Sequence, residues 1–243
     1  MKTVVPYSHS EASKKQQVAQ MFDRVASRYD FLNHLLSLNI DRYWRRVAIA
    51  QLREIAPQHI LDVATGTGDL ALAALQLTPP PKQITGVDIS EKMLELGREK
   101  IAKKGLSTTI SLQTGDAENL PFDDECFDAV TVAFGVRNFE NLEKGLSELH
   151  RVLRKGGKLV VLEFSHPQTF PVKQFYGIYS RYLLPFIGKW VSDDQSAYKY
   201  LPASVEAFPS GKAFADVLSS QKFNKIQWKP LTFGICSVYT GIK

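Results

Sequence analysis

The stretch Ile60-Leu-Asp-Val-Ala-Thr-Gly-Thr-Gly68 runs from an apolar strand signal into a glycine turn, and Asp69 to Leu77 continues with helical spacing. Glycines at 66 and 68 let the backbone turn sharply and approach a ligand with no Cβ in the way. The same grammar repeats downstream. Gln83 to Val87 reads as a second strand, followed by a helix with Ser90 as cap, Glu91 in its first turn and Gly105 at its end. A third strand at Thr108 to Gln113 and a fourth at Phe127 to Phe134 follow. Then come a helix at Leu142 to Leu153, stopped at Gly156-Gly157, and a fifth strand at Lys158 to Phe164. Apolar strands alternating with helices predict an α/β fold with a mostly parallel sheet covered on both faces. Two late strands, near Asn224 to Trp228 and Cys236 to Thr240, are too close for a crossover helix and are expected as an antiparallel pair.

Working outward, residues 1–55 read as a helical cover, 56–165 as the core, 166–222 as an aromatic, helix-like insert and 223–243 as the closing strands of one domain. Glu11 to Glu54 contains no Pro or Gly; Val18, Met21, Phe22 and Val25 share one helical face, and a second helix is expected after Asn39-Ile-Asp41. The length of 243 residues suits one well-buried domain, and the 44% hydrophobic and 23% charged content matches a soluble globular protein. No segment approaches the roughly 18 apolar residues of a membrane span. The polar start lacks the apolar core of a signal peptide, so a cytoplasmic location is expected. Cys126 and Cys236 lack metal-type spacing and read as structural thiols. The net charge of +5 is spread along the chain with no nucleic-acid motif, so no nucleic-acid partner is expected.

The turn alone leaves two ligands open. Gly66, Gly68 and Ala71 fit a dinucleotide fingerprint, and Asp88 follows Gly68 by 20 residues at the end of the second strand. Against a dinucleotide stand the long helical segment before the first strand and Asp62 just ahead of the turn. A third objection is the acidic run Gly115-Asp-Ala-Glu118 after the third strand. S-adenosylmethionine carries an ammonium, a sulfonium, a ribose diol and an adenine but no phosphate. Asp88 suits the ribose hydroxyls. Asp116 suits the adenine amine, with the Ala117 N–H on a ring nitrogen, and Thr67 offers a hydroxyl near the methionine part. A buried acceptor left without its partner costs about 1–3 kcal/mol, which discriminates against phosphate-bearing cofactors.

The segments Asp62-Val-Ala-Thr-Gly-Thr-Gly-Asp69, Gly86-Val-Asp-Ile-Ser90 and Gly115-Asp-Ala-Glu-Asn-Leu-Pro-Phe122 resemble class I methyltransferases. Phe134-Gly-Val-Arg-Asn-Phe139 and Phe22-Asp-Arg-Val-Ala-Ser-Arg-Tyr-Asp30, with Asn33, Ser37 and Trp44-Arg-Arg46, are narrower. Together they are similar to the UbiE/MenG family of ubiquinone/menaquinone biosynthesis C-methyltransferases, from about Phe22 to the C-terminus. The resemblance implies a Rossmann-like, mostly parallel seven-stranded sheet with one antiparallel strand. It implies a cofactor site at Asp62, Gly66, Thr67, Gly68, Asp88, Ile89, Asp116, Ala117 and Ala133, the last standing where some members carry a serine. It also implies methyl transfer to a ring carbon of a polyprenyl quinol: demethylmenaquinol in one pathway, a methoxy-benzoquinol in the other, with another lipid or aromatic acceptor as the generic alternative. A homodimer and peripheral contact with the inner membrane face are both compatible with that substrate.

Carbon becomes nucleophilic when the neighbouring quinol hydroxyl loses its proton, so the site needs proton removal, phenolate stabilisation and exclusion of water. Arg137 and Asn138 follow the fourth strand at the edge where such folds bind ligands. Arg137 is expected to stabilise the phenolate directly or through water, and Asn138 to orient the ring oxygen; pairing of Arg137 with a carboxylate such as Asp30, to anchor the helical cover, is the structural alternative. Tyr29 is either a wall of the acceptor pocket or a core tyrosine. His34 and His166 have a suitable pKa range for a base but read more simply as structural. The insert from Phe175 through Tyr182-Leu-Leu-Pro-Phe186 to Trp190 could meet a membrane surface or pack as an ordinary amphipathic helix. No metal site is expected.

Overall fold

The computed structural model describes residues 4–167, 170–178 and 195–243. Among them, seven strands form one sheet: β1 (His59–Val63), β2 (Gln83–Asp88), β3 (Ile110–Thr114), β4 (Phe127–Ala133), β5 (Leu153–Phe164), β6 (Asn224–Leu231) and β7 (Cys236–Ile242). Their order is β3-β2-β1-β4-β5-β7-β6. The first five pair in parallel, and β7 runs antiparallel to both β5 and β6. The expected sheet with one reversed strand is therefore present. Strand order reverses between β1 and β4, and the crevice at such a switch point is where ligands bind.

Alternation along the strands sends side chains to two cores. Leu61, Val63, Val130, Val132 and Leu159 face one side, under α5 (Leu142–Val152). Ile60, Ile84, Ala129, Val160 and Leu162 face the other, under α3 (Asp69–Ala74), α4 (Glu91–Lys103) and the cover helix α2 (Ile40–Ala50). The cover is two helices, α1 (Lys14–Leu36) and α2, separated where Leu38 and Asn39 take left-handed φ values of 51° and 61°. Helix α2 thus starts inside Asn39-Ile-Asp41 rather than after it, and it buries Trp44, Ala48 and Ile49.

Two helices end earlier than expected, and β5 starts at Leu153, five residues before Lys158. Helix α3 ends at Ala74, three residues before Leu77, and turns carry the chain on to Pro79. Helix α5 stops at Val152, and the chain becomes strand at once instead of waiting for Gly156-Gly157. That glycine pair lies in a bulge: Phe127 pairs with Leu153 but Ala129 pairs with Lys158. A Cβ on Gly157 would stand 2.8 Å from the Arg154 carbonyl oxygen and 3.0 Å from that of Asp128, so only glycine fits.

Asp62 sits in the middle of the sheet, 1% exposed, and faces the α2 and α3 side. It accepts hydrogen bonds from Thr65 Oγ1 at 2.6 Å and Thr131 Oγ1 at 2.7 Å, which ties β1 to β4 and to the turn. Burial pushes its carboxyl up to about 6, against the pull of the two hydroxyls and Arg45. The folded chain therefore holds this proton more tightly than the unfolded chain, whose carboxyl titrates near 4. Asp62's contribution to stability falls as pH rises from about 4 to about 6, by up to about 2–3 kcal/mol. Buried Asp88 and Glu163 are raised in the same direction. Asp62→Asn should flatten part of the decline in melting temperature across that window; an unchanged slope would contradict a raised Asp62 carboxyl.

Candidate active site

The chain leaving β1 takes left-handed backbone at Ala64, Gly66 and Gly68, with φ of 53°, 55° and 81°. Ala64 pays a steric penalty of roughly 1–3 kcal/mol that its neighbours must offset. They do so through hydrogen bonds: the Thr65 N–H reaches the Val87 carbonyl at 3.0 Å, and the Gly66 N–H donates to Asp88 Oδ2 at 2.8 Å. Phe134, leaving β4, is also left-handed at φ 57°, and a Cβ on Gly135 would lie 2.5 Å from the Ala64 Cβ. Gly135 is thus what lets the two strand ends meet.

A cleft of about 660 Å³, open mouth included, lies over these ends. Gly66, Asp88, Ile89, Asp116, Ala117 and Ala133 border it, as do Tyr29 and Asn138. Sequence reasoning placed all of these in one site, and the fold brings them around one cleft. Val18 and Phe22 of α1, with Phe134 and Phe139, supply apolar surface around the same space.

Asp88 carries the turn as well as bordering the cleft. Its Oδ1 accepts the Ser90 N–H at 2.9 Å, and Ser90 caps α4 by accepting the Met93 N–H. Burial raises the Asp88 carboxyl, while the Ser90, Gly66 and Ile89 amides pull it down. Asp116 accepts the Glu118 N–H at 2.9 Å and receives the Lys15 ammonium at 2.5 Å. Lys15 also stands 3.7 Å from Glu118. Burial works against the Lys15 charge, but the two carboxylates outweigh it and hold the ammonium above its ordinary range. Its neighbour Lys14 donates to the Phe139 and Arg137 carbonyl oxygens, at 2.7 and 3.1 Å. The start of α1 is thereby fastened across the cleft. Nothing in the sequence signalled this, since two lysines at a helix start read as solvated surface.

Four expected residues do not border the cleft. Asp62 lies beneath the turn, with both oxygens engaged by threonine hydroxyls. Thr67 turns toward the cover: its hydroxyl donates to Asp30 Oδ1 at 2.7 Å and accepts from Lys100 Nζ at 3.0 Å. Gly68 starts α3 as its N-cap. Arg137 is 6% exposed at its side chain and donates through Nη1 to Glu163 Oε1 at 2.7 Å and to the Phe134 carbonyl at 2.5 Å. Its guanidinium carbon stands 5.4 Å over the Phe164 ring, and its buried Nε has no hydrogen-bond partner among the described residues. Asp30, the structural alternative for Arg137, pairs instead with Lys100 at 2.5 Å. Glu163 was missed because it lies 26 residues from Arg137; its one trace was a carboxylate inside an apolar strand.

Of the remaining candidates, Tyr29 packs edge-on against Phe22, with ring centroids 5.7 Å apart. His34 Nδ1 contacts Asp41 at 2.9 Å and His166 Nε2 meets the Val205 carbonyl at 3.1 Å, both structural placements. His34, Asp41 and Asp69 gather closely enough to hold a cation, but the Arg45 guanidinium already bonds Asp41 and stands 3.6 Å from Asp69. The aromatic run from Tyr179 to Trp190 lies outside the described residues, as do the side chains of Asn33, Phe175 and Tyr176. No helix among the described residues is long and apolar enough to cross a membrane.

Known proteins share this fold. A S-adenosylmethionine-dependent methyltransferase from Thermotoga maritima superimposes with a TM-score of 0.62 at 21% identity, covering 92% of this chain and 99% of that one. At that identity the likeness shows the fold. A Bacteroides fragilis protein named demethylmenaquinone methyltransferase is 52% identical over 99% of this chain and 97% of its own length. A Geotalea daltonii protein named ubiquinone/menaquinone biosynthesis C-methyltransferase is 46% identical over 95% of this chain and 97% of its own length. The profile of the ubiE/COQ5 methyltransferase family matches residues 10–243. With the fold, the glycine turn and the whole-length match in agreement, the chain belongs to the ubiE/COQ5 methyltransferase family.

Proposed function

We propose that this chain transfers a methyl group from S-adenosylmethionine to a ring carbon of a polyprenyl quinol, with demethylmenaquinol as acceptor and menaquinol as product. The whole-length identity of 52% to the Bacteroides fragilis demethylmenaquinone methyltransferase carries this reading. A benzoquinol acceptor is the second reading, because the Geotalea daltonii relative is named for both pathways.

The cleft's chemistry fits the donor. The Gly66 N–H, which would face a pyrophosphate, is already given to Asp88, and carboxylates of Asp88, Asp116 and Glu118 border the space and repel phosphate. Each Asp88 oxygen keeps a lone pair for a ribose hydroxyl. Asp116 would take the adenine amine, exchanging or sharing its bond from Lys15, and the Ala117 N–H would meet a ring nitrogen. When bound, the donor supplies an electrophilic methyl on a sulfonium.

The chain's own residues then govern the acceptor. Asn138, bordering the cleft beside Phe134, donates to the ring oxygen as it becomes a phenolate. Arg137 contributes positive charge from one layer behind, tempered by Glu163, and acts through a bridging water or its field. Tyr29 lines the opposite wall and handles the departing proton. Val18, Phe22, Phe134 and Phe139 exclude water, which strengthens each of these contacts. An acceptor with a polyprenyl tail places the reaction at a membrane surface; flotation with vesicles containing long-chain quinol should recover the protein, and its absence from the floated fraction would remove that element.

Purified protein incubated with labelled S-adenosylmethionine and a panel of chemically reduced demethyl-naphthoquinols and benzoquinols should label the naphthoquinols. Labelling of benzoquinols alone would favour the second reading, and labelling of neither would overturn both. Asp88→Ala should weaken donor binding roughly 10–100-fold, as expected when charge-assisted hydrogen bonds are lost. Calorimetric titration with S-adenosylhomocysteine checks this, and an unchanged affinity would contradict the ribose assignment.

A further inference from the structure

Tyr200 lies on α7 (Gln195–Ala207), the next helix after α6 (Val172–Ile178) among the described residues, and is 4% exposed. Its hydroxyl donates to Asn138 Oδ1 at 3.1 Å. Asn138 Nδ2 lies 3.4 Å from the Phe134 carbonyl oxygen. These two contacts decide which way round the amide sits. Turned over, it would set Oδ1 against the Phe134 oxygen, two acceptors with no proton between them. Phe134 takes one of the two amide N–H bonds, and the cleft that Asn138 borders is where the other can be used.

We propose that Tyr200 is a positioning residue for methyl transfer: its hydroxyl locks the Asn138 amide so that Nδ2 faces the acceptor's ring oxygen. Without the hydroxyl, Oδ1 loses its donor and only the 3.4 Å contact of Nδ2 with the Phe134 carbonyl restrains the amide, which is then held less firmly toward the developing phenolate. This inference rests on the quinol reading above. Burial pushes the Tyr200 phenol up to about 12, with Arg137 pulling down and Glu163 pushing further up, so the hydroxyl stays a donor at neutral pH. The Arg137 and Glu163 pair is buried beside it, and Tyr200 packs with Val18 and Met21 of α1. One side chain thus joins the cover, α7 and the reactive turn.

The test is Tyr200→Phe, which keeps the ring and removes only the hydroxyl. With S-adenosylmethionine and a reduced demethyl-naphthoquinol, kcat should fall about 10–100-fold, the range for a hydrogen bond to a charged group. KM for S-adenosylmethionine should stay within about twofold, because the donor is held elsewhere. The rising limb of the kcat–pH profile should move up by about one unit, since a less stabilised phenolate forms at higher pH. Asn138→Ala should lose a similar factor, and Tyr200→Phe in that background should add nothing. A normal kcat and an unmoved limb in Tyr200→Phe, beside an impaired Asn138→Ala, would overturn the positioning role while leaving the quinol reading intact. So would an equal loss from Tyr200→Phe with Asn138 already removed. A wild-type protein that methylates no quinol would overturn the quinol reading and this inference with it.

Discussion

The hydrogen bond from the Gly66 amide to the Asp88 carboxylate, 2.8 Å long, joins the end of β1 to the end of β2 and holds the turn open toward the cleft. Left-handed backbone at a non-glycine residue such as Ala64 persists only where its surroundings over-determine it. Asp88 supplies one constraint from above the sheet and Asp62 a second from within it, through Thr65 and Thr131. Gly135 supplies the third by making room for Ala64. The carboxylate that shapes the turn is also the one proposed for the ribose, so the turn's geometry is set by the residue proposed to bind there.

The cover is attached by charge as well as by apolar packing. Asp30 on α1, Thr67 and Asp69 beside the turn, and Lys100 on α4 form one connected polar cluster, partly buried. Arg45 extends it to Asp41 and His34. Partly exposed pairs of this kind are individually weak, and their value lies in fixing the angle at which α1 crosses the cleft. That angle brings Tyr29, Phe22 and Lys15 to the site. This side of the cleft therefore depends on a network whose members do not line it.

The strands and the turn were legible because each rests on local chemistry. Period and apolar run length marked β1 to β5, and glycine spacing marked the turn; Asp88 ends β2, and Asp116 and Asn138 lie within five residues of the ends of β3 and β4, so each comes to the cleft. Failures came where long-range geometry decided. Gly156-Gly157 read as a helix stop, yet the pair serves a bulge that α5 has already ended before. Thr67 read as a ligand contact, but the approach of Asp30 and Lys100 from two other helices claimed its hydroxyl. Arg137 read as facing the acceptor, and its partner Glu163 could be found only once β4 and β5 lay side by side. Tyr200, 62 residues from Asn138, carried no local signal at all.

What distinguishes this site from the many that share its fold is the atom that receives the methyl group. In the proposed reaction a phenolate can react at oxygen or at the neighbouring carbon, and Asn138 would occupy the oxygen by hydrogen bonding so that carbon attacks. Carbon-13 spectroscopy of the product formed from S-adenosylmethionine labelled in its methyl group reads this directly. The account predicts a single aryl-methyl resonance, coupled to the ring carbon of a naphthoquinol. An aryl-methoxy resonance as the main product would contradict it.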